Sequence, residues 1–147
     1  MIQPFDDTYF MRQALSEARL AAEVGEVPVG AVIACQGRII ARAHNQTERL
    51  HDVTAHAELL AITAATNALG AKYLTDCTLY VTVEPCVMCA GAIGWAQVGI
   101  IVYGAADEKR GYSRFAPKAF HPKAQVKRGI LEAECADEMW RFFQSRR

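Results

Sequence analysis

Apolar positions recur along this chain with two spacings, and each spacing marks a kind of element. Phe10, Ala14, Leu15, Ala18 and Ala22 fall on one helical face. That recurrence predicts a first amphipathic helix, capped by Asp6 or Asp7 and stopped near Gly25. Residues 27–35 are a nearly continuous apolar run, Gln36-Gly37 is a turn signal, and residues 38–43 read as the return strand of a hairpin. A polar loop over residues 44–52 leads to a second helix, with Thr54 as its cap, Glu58 in its first turns, an Ala and Leu face, and Gly70 as its stop.

The second half continues the alternation. Residues 78–83 are rich in β-branched side chains and predict a buried strand. Pro85 follows where proline is favoured, at a first helical position, so the strand feeds directly into a helix reaching about Gln97. Residues 99–103 form another apolar strand, ended by Gly104. Residues 105–122 are punctuated by Gly111, Pro117 and Pro122 and read as a functional loop or short irregular helix. A short strand near Val126 precedes a last amphipathic helix with apolar positions Leu131, Cys135, Met139, Phe142 and Phe143, where Arg146 and Arg147 suit the helix dipole. Helices alternating with strands indicate an α/β chain, a three-layer α/β/α sandwich with helices on both faces of a central sheet.

Composition narrows this picture only slightly. A length of 147 residues suits one domain, residues 1–147, and 52% apolar against 22% charged residues excludes wholesale disorder. No apolar segment is long enough to span a bilayer. The N-terminal stretch lacks a basic start followed by an apolar run, as a signal peptide would need. Five cysteines without an export signal argue for a reducing, cytoplasmic setting, where a Cys-x-x-Cys pair binds metal or reacts rather than forming a bridge. Sixteen basic and sixteen acidic residues cancel, but residues 105–128 hold seven basic and two acidic ones. That local excess can attract a polyanion although the whole chain is neutral.

The chemistry gathers at Pro85-Cys86-Val87-Met88-Cys89 and His56-Ala57-Glu58. Cys86 and Cys89 lie one helical turn apart, so both thiols can meet one ion. His56, at the start of the preceding helix, completes the set if both helix N-termini point to the same end of the sheet. Three ligands leave the fourth position of a tetrahedral Zn2+ open, and an open position belongs to a catalytic rather than a structural site. Water there ionises near pH 7, and Glu58 is then the proton carrier. The alternative is a closed structural zinc site with a fourth ligand, which leaves Glu58 unexplained. The spacing of His, Glu and the Cys pair is that of zinc-dependent nucleobase deaminases. Cys35, Cys77 and Cys135 read as small buried side chains, His44, His51 and His121 as loop histidines, and Trp95 and Trp140 as core or interface residues.

On these motifs, and on Glu26-Val27-Pro28-Val29-Gly30, His44-Asn45, Thr54-Ala55-His56-Ala57-Glu58 and Gly104-Ala105-Ala106-Asp107, the chain resembles bacterial tRNA-specific adenosine deaminases, within the cytidine deaminase-like superfamily. The resemblance implies a central mixed sheet and a homodimer that converts the wobble adenosine of a tRNA anticodon stem-loop to inosine. Hydroxide on the zinc would attack adenine C6, and ammonia would leave. It assigns one Zn2+ per chain to His56, Cys86 and Cys89, and proton transfer to Glu58. Asn45 would touch the purine nucleoside, Val29 and the Ala55 backbone would line the pocket, and Asp107 would contact a sugar. Val53 stands where the family commonly has proline, and residues 111–128 form a shorter segment than in better-known members. The rival readings are a free-base or nucleoside deaminase, guanine first, and a non-enzymatic zinc-stabilised binding module. Val87 between the ligands, where guanine deaminases tend to carry proline, favours the tRNA reading.

Overall fold

The computed structural model describes residues 5–146, so the stretch before Phe5 and the expected dipole role of Arg147 lie outside the described residues. Five strands, β1 (Gly30–Cys35), β2 (Arg38–His44), β3 (Cys77–Val83), β4 (Ile100–Ala105) and β5 (Gln125–Arg128), form one sheet in the order β2-β1-β3-β4-β5. β1 runs antiparallel to β2 and β3, whereas β3, β4 and β5 are parallel, so the sheet is mixed. Helices α1 (Asp7–Glu23) and α5 (Glu132–Ser145) cover one face, and α2 (Ala57–Leu69) and α3 (Val87–Trp95) the other. A single turn, α4 (Tyr112–Phe115), lies between β4 and β5.

Burial on both faces explains why the central strands are apolar without alternating. Ala31 and Ile33 of β1 point to the α2/α3 side, Val32 and Ala34 to the α1 side. In β4, Ile101 and Tyr103 face α2/α3, and Val102 packs with α1 and α5. Only a strand buried on both faces needs apolar residues at consecutive positions. Gln36 and Gly37 both have positive φ (53° and 76°), as the two-residue turn of a tight hairpin requires.

Several boundaries differ from the expected ones. The first strand begins at Gly30 rather than residue 27, because Val27 and Val29 are drawn into a bend in which the Val29 N–H donates to the Val27 carbonyl (2.8 Å). Thr54 does not cap α2. Its N–H and hydroxyl both donate to Asp52 Oδ1 (2.8 and 2.7 Å), and His56 is the N-cap residue. Pro85 precedes the helix instead of opening it: Cys86 is the N-cap of α3, in extended conformation and bridged to Gly111. The helix ends at Trp95, short of Gln97.

Gly104 lies inside β4 rather than ending it, and a Cβ there would collide with Cys135 Sγ of α5. In α1, Met11 and Ala21 are buried and Ala22 is only half-buried. On α5 only Cys135 and Phe142 are buried, whereas Phe143 is exposed. Arg146 stacks its guanidinium on the Phe142 ring, 4.5 Å from the centroid. Both tryptophans are exposed, which removes the core reading for them.

Candidate active site

The pairing directions bring one end of four strands to the same sheet edge. β3 and β4 end there, β2 ends there antiparallel to β1, and β1 starts there. In open α/β sheets ligands settle outside the carboxyl ends of the strands. A cavity of about 470 Å³ opens at this edge, within the range of small-molecule sites.

Two helix starts at this edge carry the expected metal ligands, with His56 and Cys86 in the cavity wall and Cys89 buried behind it. His56 caps α2, Cys86 caps α3, and Cys89 follows in the first turn of α3. Their ligating atoms all lie within 4.8 Å of one another. His56 turns Nδ1 toward both sulfurs, 3.7 Å from Cys86 Sγ and 3.4 Å from Cys89 Sγ. The electrostatics match a cation site. The Cys86 thiol is pulled down to about 4, first by the hydrogen bond from Cys89 and then by His56. Cys89 is pushed up by that same bond and by burial, and His56 is raised chiefly by its bond to Cys86. These shifts favour negative charge on a sulfur of the pair, and a thiolate pair with an imidazole is the donor set that zinc prefers. The residues therefore fit a zinc ion on donor chemistry and on spacing.

Glu58, the second residue of α2, lines the same cavity and is buried. Burial first, and then the Cys86 charge, push its carboxyl up to about 7. An acid poised near neutrality can both take and return a proton.

The other expected residues divide. Asn45, just past β2, lines the cavity and is 6% exposed, and its Oδ1 has no hydrogen-bond partner among the described residues. Val29 and Asp107 also line the cavity. Ala55 is buried beside it, with its N–H donated to the Asp52 carbonyl and its carbonyl accepting from Gln46, and it is not part of the wall. Asp107 Oδ1 accepts from the N–H groups of Lys109 and Arg110 (both 3.0 Å).

The remaining histidines and cysteines stay outside the cavity wall. His44 pairs with Glu17 (3.0 Å), His51 sits in an exposed turn, and His121 accepts from the Lys123 N–H. Cys35 and Cys77 face each other across β1 and β3, and Cys135 is buried under β4. Cys35 itself is only half-buried.

Two buried acids of the site were missed by sequence reasoning. Glu26 accepts from the Glu48 and Arg49 N–H groups (3.0 and 2.8 Å), holding the loop between β2 and α2. Glu84 accepts from the Asp107 N–H and from Ser113. An acidic residue at the tail of an apolar strand was the available signal, since such residues are seldom buried without partners. Arg110 and Met139, from the basic loop and from α5, complete the mouth.

Comparison with known proteins agrees with this geometry. The model of the MafB19-like deaminase family matches residues 5–141. A tRNA-specific adenosine deaminase of Agrobacterium fabrum is 46% identical over 95% of this chain and 95% of its own. A solved structure from a study of A-to-I editing by tRNA:A34 deaminases superposes with a TM-score of 0.83 at 46% identity, covering 89% of this chain and 99% of that one. A guanine deaminase from Bacillus subtilis is similar at lower TM-score, 0.67, with 38% identity over 80% of this chain and 72% of its own.

Proposed function

Since this chain belongs to the MafB19-like deaminases and, among them, to the tRNA-specific adenosine deaminase family, we propose that it converts the wobble adenosine of a tRNA anticodon to inosine, releasing ammonia. The observation that carries this reading is a convergence: a His-Cys-Cys cluster, a buried acid raised to about 7 and an unpartnered amide oxygen share one cavity. His56, Cys86 and Cys89 would hold one zinc ion. When bound, zinc supplies Lewis acidity that makes water nucleophilic near neutral pH.

The chain's own residues do the rest. The Glu58 carboxylate accepts a proton from the attacking water and passes it to the purine ring nitrogen. It then takes a second proton from the new C6 hydroxyl and delivers it to the amine, so that ammonia leaves as the C6 carbonyl forms. Burial favours this role, because an ordinary carboxylate near 4.5 is too weak a base at neutral pH to hold the proton between steps. Asn45 offers an amide donor and acceptor to the purine, Val29 packs against its face, and Asp107 has one oxygen beyond the turn it stabilises to meet a ribose hydroxyl. The base must leave its stack to reach such a pocket, which an unpaired loop allows.

The exposed cations Lys109, Arg110 and Arg114 beside the mouth support an RNA rather than a free-base substrate. Exposed Val87, Met88 and Trp95 along α3 support pairing of two copies, and a tRNA substrate puts the work in the cytoplasm. Among the described residues no helix is long and apolar enough to cross a membrane. The whole of residues 1–147 acts as one domain in this reading.

The test is an assay for inosine on mixed tRNA, run beside free guanine, cytosine and cytidine. Inosine at one anticodon position without free-base turnover is expected. Turnover of guanine alone overturns the proposal.

A further inference from the structure

We infer that Glu84 is a positioning residue, one that clasps the substrate-side loop of residues 105–113 onto the turn bearing the metal ligand Cys86. This rests on the deaminase reading above. Glu84 sits at the junction of β3 and α3 and is 5% exposed. Its Oε1 accepts from the Asp107 N–H (3.1 Å), and its Oε2 accepts from the Ser113 N–H (3.1 Å) and hydroxyl (2.6 Å).

Two further bonds run between the same stretches, from Glu84 N–H to the Ala105 carbonyl (2.8 Å) and from Tyr112 N–H to the Pro85 carbonyl (2.9 Å), and Cys86 bridges Gly111. The approach is so close that a Cβ on Gly111 would collide with the carboxylate. The loop therefore wraps the acid with both of its ends, at Asp107 and at Ser113.

Ordinary packing does not account for this arrangement. A buried carboxylate is costly unless its lone pairs are filled. Among the described residues no lysine or arginine pairs with Glu84, and the donors that satisfy it all come from the one loop. That loop carries Asp107 and Arg110 into the cavity wall, whereas His56, Glu58 and Cys89 belong to α2 and α3 and are held independently. Loosening the clasp should therefore displace the wall that grips substrate while leaving Glu58, His56 and Cys89 in place. Cys86 keeps its backbone ties to Gly111 and, through Pro85, to Tyr112, which need no carboxylate. Loss of ground-state grip raises KM and leaves kcat.

Glutamine is the discriminating substitution, since it keeps one acceptor oxygen and turns the other into an NH2 donor, so it can accept from Asp107 or from Ser113 but not from both. For Glu84→Gln in the zinc-loaded full chain, hydrogen exchange at the Asp107 and Ser113 amides should accelerate at least about tenfold, with exchange in β3 and β4 unchanged. KM for an anticodon stem-loop RNA should rise about tenfold, with kcat within about twofold and zinc per chain unaltered.

Ser113→Ala, at an exposed position, should move both readouts the same way by less, and Ser113→Thr should restore them; this pair carries the test if Glu84→Gln does not fold. Unchanged loop exchange, or a fall in kcat at constant KM, overturns the inference. If the wild-type chain makes no inosine, the catalytic reading fails and the positioning role with it, while exchange still reports whether the clasp exists.

Discussion

Asn45 is where function and stability should pull apart. Its side chain is almost wholly buried, yet Oδ1 has no partner among the described residues, although its backbone N–H is satisfied by the Val29 carbonyl (3.1 Å). A buried polar atom left unpaired costs about 1–3 kcal/mol. Leucine has nearly the same shape without the polar atom, so Asn45→Leu should make the free protein more stable by about 1–2 kcal/mol. The readout is the midpoint of urea unfolding at unchanged slope, with zinc present for both chains.

The same change should impair the reaction. The amide can give the purine one acceptor and one donor bond, each about 1–1.5 kcal/mol, so kcat/KM should fall about 10²-fold. A gain in stability with a loss of rate would mark the amide as held for the substrate. If Asn45→Leu instead destabilises the free chain by more than about 1 kcal/mol, the residue serves the fold and the reasoning fails.

Glu58→Gln should keep one zinc per chain while inosine formation drops by about 10³-fold or more, and Cys86→Ser should lose the metal; metal analysis beside the assay checks both. Glu58 also makes the metal-free chain pH-dependent. Its carboxyl is raised from 4.5 to about 7, so the protonated form is favoured by folding, and the stability it contributes is full below about pH 4.5 and lost as pH rises through about 7. Urea titrations of the metal-free chain and of Glu58→Gln across that window should diverge, the wild type losing stability relative to the variant as pH rises, whatever slope the lowered Cys86 thiol gives to both. Trp95 is 85% exposed at the end of α3, and Trp95→Asp should shift sedimentation from two copies to one if that face pairs them.

The layered architecture was legible in the sequence because its cause is local. Strands buried on both faces must be continuously apolar, and helices lying on them must be apolar on one side, so residues 78–83 and the Phe10 to Ala18 stripe announced themselves. The boundaries that shifted did so where a distant partner claimed the backbone. Thr54 was a sound cap by residue type, but Asp52 captured its hydroxyl, and Pro85 would have suited a first helical position had its carbonyl not been needed by Tyr112. Trp95 and Trp140 misled for the opposite reason, since residue type says how much area a side chain can bury and not whether this chain supplies the surface.

The site divides along the same line. The candidate metal cluster was readable because first-turn geometry ties Cys86 to Cys89, and the sheet edge then brings His56 within hydrogen-bonding distance of both sulfurs. Glu26 and Glu84 were not, because what makes each of them matter is a loop more than twenty residues away, and no short spacing encodes that. These two acids hold the two loops that carry Thr47 and Val53 on one wall and Asp107 and Arg110 on the other. On the proposed reading, reaction chemistry and substrate choice are therefore stored differently in this fold: the first in one compact pattern on two helix starts, the second in loops held by buried carboxylates. In the proposed reading, a substitution in either loop should change which base is accepted without touching His56, Cys86 or Cys89, because those loops line the cavity and the cluster does not belong to them.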